Sequence, residues 1–336
     1  MNLEISKFSH QNPKKRKNGD FCEYKLLQDE NLAVLTVADG LGGKPCDWKA
    51  SKLSCQKFIE VFGKKVNKEI SERIISSIKS INAEILSEVG LCEKMKSTFC
   101  VVVWDFNTNQ LYYSSIGDSR IFQFSNNTIT QLSKDEVKSI ALRSKDGTPL
   151  IVSGTVVLSE GITNVIGSDS LSIEVKVKPD FDIEAIILST DGFHGITSNL
   201  DTELVKMLSS LENLNSSLEQ FYQKYKDKQK DDMTVLVVRK NNSGNDLSIL
   251  KRILNNDKTD SIGNLELAKV LIVGLENGVK EQDTFSIKKL LSIQEKRNLD
   301  LGKDNIGKII SLMIKVNFQN GEIYQELLKM MRKSKF

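Results

Sequence analysis

The sequence predicts an α+β fold: a central β-sandwich of two antiparallel sheets flanked by helix pairs, followed by a small all-α C-terminal domain. Three observations predict it. Strands, two helices, strands, two helices and a closing strand alternate between Phe21 and Val238, the order expected of two facing sheets with helices outside. Short β-branched and aromatic runs recur between tight polar turns from Ser97 to Leu132, an antiparallel meander. Beyond an Asn, Ser and Gly linker at 241–246, helical periodicity continues almost to Phe336. The expected domains are therefore 1–240 and 247–336.

After a polar start, Phe21–Gln28 and Leu32–Ala38 read as strands joined by a turn at Asp29–Asn31. Ala50, Leu53, Phe58, Val61 and Phe62 give one helix over 48–64, and Ile70, Ile74, Ile78, Ile81 and Ile85 a second over 69–89. Four strands follow, Ser97–Asp105, Gln110–Ile116, Arg120–Phe124 and Thr128–Leu132, and then a polar, irregular surface insertion at Lys134–Gly161. Strands resume at Ser172–Val177 and Ile183–Thr190, helices at Glu203–Leu211 and Leu214–Tyr225, and a last strand at Val235–Val238. In the tail, groups such as Leu250, Ile253 and Leu254, or Ile306, Ile309 and Ile310, predict about five short helices forming a small bundle.

Charge excludes some classes of function. The 47 basic and 44 acidic residues leave +3, too little to argue for nucleic acid or an anionic membrane as partner. From Asp246 onward 16 Lys and Arg face 12 Asp and Glu, so the tail carries the basic excess. The five cysteines (Cys22, Cys46, Cys55, Cys92, Cys100) are odd in number, far apart and without a CxxC pair, which argues against a zinc site or a disulfide framework. Cys100 reads as core and Cys46 as open to oxidants. With His10 and His194 the only histidines, a Ser-His-Asp triad is nearly excluded. No signal-peptide core is present, and no apolar run reaches the roughly 18 residues of a membrane span, so a cytoplasmic location is expected.

The chemistry gathers on aspartates. Asp39 ends the apolar run Leu32–Ala38 and is followed by Gly40, Gly42 and Gly43. Asp20, Asp191 and Asp232 stand likewise where a strand meets a loop. Carboxylates crowded in a dry site repel one another, and grouping them around divalent cations removes the conflict. Oxygen donors alone point to magnesium or manganese, and two such ions suit phosphoryl hydrolysis.

In order, VADGLGG, STFCVVVWD, IGDSRIF, ITNVIG, ILSTDGFHG and KDDMTVLVV resemble the metal-dependent Ser/Thr protein phosphatases of type 2C, bacterial-like, from about residue 8 to residue 240. The resemblance implies hydrolysis of phosphoserine and phosphothreonine in proteins by a hydroxide bridging two Mn2+ or Mg2+ ions. Asp39 would bridge both ions and Gly40 would offer its carbonyl. Asp191 and Asp232 would hold one ion, Asp20 would reach the other, and Asp118 would help to bind a weak third. Departures accompany the match. Where the family places an arginine for the substrate phosphate stands Lys15, with Arg16 one step later, and a lysine lacks the guanidinium fork. Leu41 replaces a histidine acid found in animal members, and Gly195 replaces a further acid for the third ion. His194, beside that gap, reads as an exposed turn residue or an acid or ligand. The resemblance also implies a phosphorylated protein substrate and a cognate Ser/Thr kinase, with the helical tail a possible docking site. The alternative reading is a pseudophosphatase or phosphoprotein-binding module acting through that tail.

Overall fold

In the computed structural model the chain is described over residues 3–240, apart from 43–45, 145–147, 153–154, 180–182 and 210–212, and over parts of 267–333. Alternation along its strands sets the layers. In β3 (Leu32–Asp39), Ala33, Leu35 and Val37 face one side and Val34 and Ala38 the other, and both faces are buried. This strand lies in a five-stranded antiparallel sheet, in the order β12 (Lys176–Pro179), β5 (Gln110–Ile116), β4 (Phe99–Asp105), β3, β2 (Asp20–Leu27). The second five-stranded sheet runs β1 (Leu3–His10), β14 (Met233–Lys240), β13 (Ala185–Ser189), β6 (Arg120–Ser125), β7 (Thr128–Gln131), also antiparallel.

Between the sheets lie Leu35, Val37, Val102, Trp104, Ile186, Leu188, Leu236 and Val238, a dry layer drawn from both inner faces. The outer face of the first sheet is covered by α1 (Asp47–Gly63) and α2 (Ile70–Leu86) through Phe58, Phe62, Ile74, Ile78 and Ile81. The second is covered by α4 (Leu200–Ser209) and α5 (Leu214–Tyr225) through Leu204, Leu208, Leu218 and Phe221. The short α3 (Asp191–His194) links β13 to this layer.

Five expectations need correction. The polar start contains β1, which pairs with β14 along all eight residues from Leu3↔Lys240 to His10↔Met233. Its buried side is Ser6 and Phe8, a weak apolar signal, and the apolar partner β14 completes the pair. The meander is not one sheet: β4 and β5 belong to the first and β6 and β7 to the second, the chain crossing over at Gly117 with φ +94°. The insertion carries two ribbons, β8 (Val137–Ala141) with β11 (Leu158–Ile162), and β9 (Ile151–Val152) with β10 (Thr155–Val156). The strand expected at Ser172–Val177 begins only at Lys176.

Finally, Cys46 and Cys92 form a disulfide with a Cα–Cα distance of 5.3 Å. Sequence spacing hid this pair. Cys46 precedes the first residue of α1 and Cys92 follows α2, so the helix hairpin returns the chain to its starting point. The other three cysteines are free and buried.

The chain falls into two compact units divided at Lys240. The second has its own core of Leu271, Leu275, Ile287, Leu290, Ile306 and Ile323. It includes α6 (Thr284–Arg297), α7 (Lys303–Lys315) and α8 (Gly321–Lys333). The linker at 241–246 and the helix expected around Leu250–Leu254 lie outside the described residues. Among the described residues no helix is long and apolar enough to cross a membrane.

Candidate metal centre

Strand register brings the acids to one end of the sandwich. In the β2–β3 pair Asp20 lies directly opposite Asp39. Beyond them the Gly40 N–H donates to the Gly19 carbonyl at 3.0 Å. The Asp39 backbone is clamped on its other side: its N–H donates to Thr98 Oγ1 at 2.9 Å, and its carbonyl accepts from the Thr98 N–H and Ser97 Oγ, each at 2.8 Å. In the second sheet, β13 runs antiparallel to β14, so the residues after Ser189 meet those before Val235. Asp191 and Asp232 therefore share an end, and the Thr190 N–H donates to the Thr234 carbonyl at 3.0 Å. The Thr190 hydroxyl bridges the sheets by donating to Asp20 Oδ2 at 2.7 Å.

Four carboxyls, those of Asp20, Asp39, Asp118 and Asp191, are perturbed in the direction crowding dictates. Burial pushes Asp20 up to about 7, and the Asp232 charge adds to this. Asp39 is raised well above the carboxylate range, first by burial and then by the charges of Asp20 and Asp191. Asp191 is raised by burial and by Asp231. Asp118, in the turn between β5 and β6, reaches about 6 through burial and the nearby Asp191 charge.

Asp232 is better served. Its Oδ1 accepts from the Asn12 N–H at 2.7 Å, and its Oδ2 accepts from the Gly19 N–H at 2.7 Å and from Lys15 Nζ at 2.9 Å. The Lys15 ammonium also pairs with Asp231. Burial works against its charge, but these two acids outweigh it and raise its pKa. Arg16 is exposed, and the structure does not bring it among the acids.

These residues fit a divalent cation on two observations. Asp191 Oδ1 is buried and has no hydrogen-bond partner, an arrangement that a cation would relieve. A Cβ on Gly19 would sit 3.2 Å from Asp232 Oδ2 and 3.6 Å from both Asp47 Oδ2 and the Gly40 carbonyl oxygen, so three oxygens face one small space. Among the described residues, no three His, Cys, Asp or Glu side chains are converged closely enough to hold an ion as they stand. Asp39 feels the charges of both Asp20 and Asp191, and Asp118 feels that of Asp191.

His194 corrects the sequence reading. It is 8% exposed, its Nδ1 lies 3.1 Å from Ser189 Oγ, and its ring meets the edge of Phe122. It is a core residue, not an exposed turn residue. Burial, with help from the Arg120 charge, pushes its pKa from 6.5 down to about 3. A base held neutral in the fold binds its proton more readily when unfolded, so its contribution to stability falls as pH drops below about 6.5 and continues falling to about 3. The loss approaches about 1.4 kcal/mol per pH unit. The difference in unfolding free energy between wild type and His194→Gln, followed by urea titration from pH 7 to pH 4, should carry that slope. Parallel pH profiles would show that the imidazole is not held neutral.

Some residues at this end escaped the sequence reading. Asn12 is 4% exposed and gives Asp232 a backbone N–H while its Nδ2 donates to the Lys230 carbonyl at 2.5 Å. No motif marks it. Thr190 and Thr234 flank the acids and carried a signal, since a hydroxyl beside a buried carboxylate is a natural donor. Asp47 enters through α1: its backbone oxygen would lie 2.1 Å from a Cβ on Gly40, so only glycine fits there.

A family model described as protein phosphatase 2C matches residues 11–237. The Serine/threonine phosphatase stp of Listeria welshimeri is 25% identical over 240 residues, which is 67% of this chain and 89% of that protein. Among solved structures, the fold is similar to Serine/threonine phosphatase Stp1 from Staphylococcus aureus, with TM-score 0.57 and 19% identity over 70% of this chain and 94% of that one. The S. agalactiae serine/threonine phosphatase gives TM-score 0.54 and 18% identity over 71% of this chain and 100% of that one. A sandwich with an acidic end of this kind, matched across nearly the whole first unit, defines a phosphatase. The chain belongs to the protein phosphatase 2C family.

Proposed function

We propose that the chain hydrolyses phosphoserine and phosphothreonine esters in proteins at a pair of Mn2+ or Mg2+ ions. The observation that carries this reading is the group of desolvated carboxyls that includes the orphaned Asp191 Oδ1. Bound divalent ions supply charge neutralisation for the phosphoryl oxygens and lower the pKa of the attacking water. Asp39, whose charge is opposed by both Asp20 and Asp191, would reach both ions, with the Gly40 carbonyl beside it. Asp191 and Asp232 would hold one ion, Asp20 the other, and Asp118 a weaker third. Thr190 holds the Asp20 carboxyl by its hydroxyl, and Asn12 and Gly19 fix Asp232 through their N–H groups.

Lys15 is the residue proposed to meet the substrate phosphate, because its ammonium already points at the acids and its flexible stem lets it turn. Arg16 is a second, outer contact. A cognate kinase and a role in signalling belong to the same proposal, as does an intracellular location. In that setting the Cys46–Cys92 bridge is a redox-dependent contact, since such compartments keep thiols reduced.

The test is release of phosphate from a phosphopeptide with manganese, lost on chelation and restored by adding manganese back. Folded protein that releases none would overturn the reading. Calorimetric titration then separates an enzyme from a pseudophosphatase, which would bind without turnover or lack the two-ion stoichiometry.

A further inference from the structure

A groove of about 470 Å3 opens beside the acidic end, between the edge strands of the two sheets. Its floor is Ser9 of β1 and Asp20 to Cys22 of β2, and its walls carry Lys7, Lys17 and Lys52 with Trp48. Asp20, one of the acids of the proposed metal site, is among its lining residues.

Its charge is local. Three ammonium groups face the groove, while its one carboxylate, Asp20, is 5% exposed and engaged by Thr190. Lys7 is shared with Glu23 at 3.5 Å, a half-exposed pair that leaves it available. Lys17 is held with its Nζ 3.7 Å from the centre of the Trp48 ring. Among the described residues neither Lys17 nor Lys52 has a carboxylate partner. The rest of the unit does not share this bias: with +3 overall and +4 from Asp246 onward, its net charge is about −1.

The floor is hydrogen-bonded and fixed. Asn18 Nδ2 donates to Ser9 Oγ at 2.9 Å, and Ser9 Oγ lies 2.7 Å from Thr234 Oγ1, next to the acids. For a peptide whose phosphorylated residue sits at Asp39 and Asp20, this groove lies directly beside the phosphorylated position. At roughly 3.3 Å per extended residue, the peptide's next few side chains would reach the lysines.

Resting on the phosphatase reading, we propose that the groove lined by Lys7, Lys17, Lys52 and Trp48 binds acidic side chains flanking the phosphorylated residue, so that this phosphatase prefers acidic phosphopeptides. Charge complementarity, and the Asp20 that the groove shares with the proposed metal site, favour this occupant. Trp48 adds an apolar wall against which the stems of Glu and of neighbouring residues can lie.

The test uses the full chain with manganese and two fluorescent phosphopeptides of equal length, one with Glu and one with Lys within three residues of the phosphothreonine. Hydrolysis of a small aryl phosphate is followed in parallel, and peptide affinity is read separately by anisotropy. Wild type should favour the Glu peptide, mainly in KM, and the preference should shrink as salt rises. Lys17→Glu with Lys52→Glu should lower kcat/KM for the Glu peptide about tenfold and improve the Lys peptide, with aryl phosphate turnover unchanged. Lys52→Glu alone, on the exposed side of α1, should give a smaller change of the same sign. Equal affinity for both peptides, or variants that leave the preference intact while turning over aryl phosphate, would overturn the groove. A chain that binds the Glu peptide selectively but hydrolyses no aryl phosphate would keep the groove and overturn the phosphatase reading.

Discussion

Asp39→Asn should lower manganese-dependent phosphate release at least about a thousandfold and, in the same protein, raise the melting temperature measured in chelator. The first effect follows from the nearness of Asp39 to both Asp20 and Asp191, from which its carboxyl would serve both proposed ions. Metal stabilisation of the transition state is worth several kcal/mol, and each 1.36 kcal/mol is about tenfold in rate. The second effect has the opposite sign because burial and its two acidic neighbours oppose ionisation of Asp39 without a cation. A carboxyl whose folded pKa is raised above its unfolded value destabilises the fold progressively as pH rises from the unfolded value near 3.8. Asparagine keeps the shape and removes that charge, so the gain should be largest near neutral pH and fade toward pH 4. Calorimetric scans with and without manganese check both signs. The idea sinks if manganese still raises the variant's melting temperature as much as that of wild type, or if turnover survives.

How far this centre was legible depends on which physical signal each residue carried. Asp20, Asp39, Asp191 and Asp232 stood at strand ends beside turns, where a buried acid has no ordinary reason to be. Both strands that end in Asp39 and before Asp191 are apolar on two faces, so they were visible as central strands. β1 was hidden because its register depends on β14, more than two hundred residues away, and its own sequence alternates too weakly. The Cys46–Cys92 pair was hidden for a similar reason: the two residues meet only once α1 and α2 fold back on each other. The crossover at Gly117 could not be told from a hairpin turn, since a glycine between two strands is the signature of both. Asn12 acts through its backbone N–H, to which side-chain chemistry gives no clue. His194 looked exposed because glycines flank it in a turn-like stretch, yet α3 turns it into the core beneath Ser189.

Gly192→Ala should be the most damaging single methyl at this site, costing upwards of about 3 kcal/mol of stability and abolishing divalent binding. A Cβ there would lie 1.8 Å from the Asp232 backbone oxygen and 2.9 Å from its carbonyl carbon. Those atoms belong to the residue just before β14 and cannot rotate away as a side chain would. Overpacking in a core that can relax costs about 1–3 kcal/mol, and here relief requires the backbones carrying Asp191 and Asp232 to separate. That motion breaks the Thr190 and Thr234 contacts, including the 3.0 Å bond from the Thr190 N–H, and with them the hold on Asp20. Gly42→Ala provides the control nearby, since among the described residues no atom beyond its chain neighbours lies within 4 Å of its Cβ position. It should change stability by less than about 0.5 kcal/mol. Urea unfolding of both variants, with manganese titrated calorimetrically into each, separates the outcomes. Equal stability of the two would show that the strand ends can part without cost. The acids would then be held by the ions alone and not by the fold.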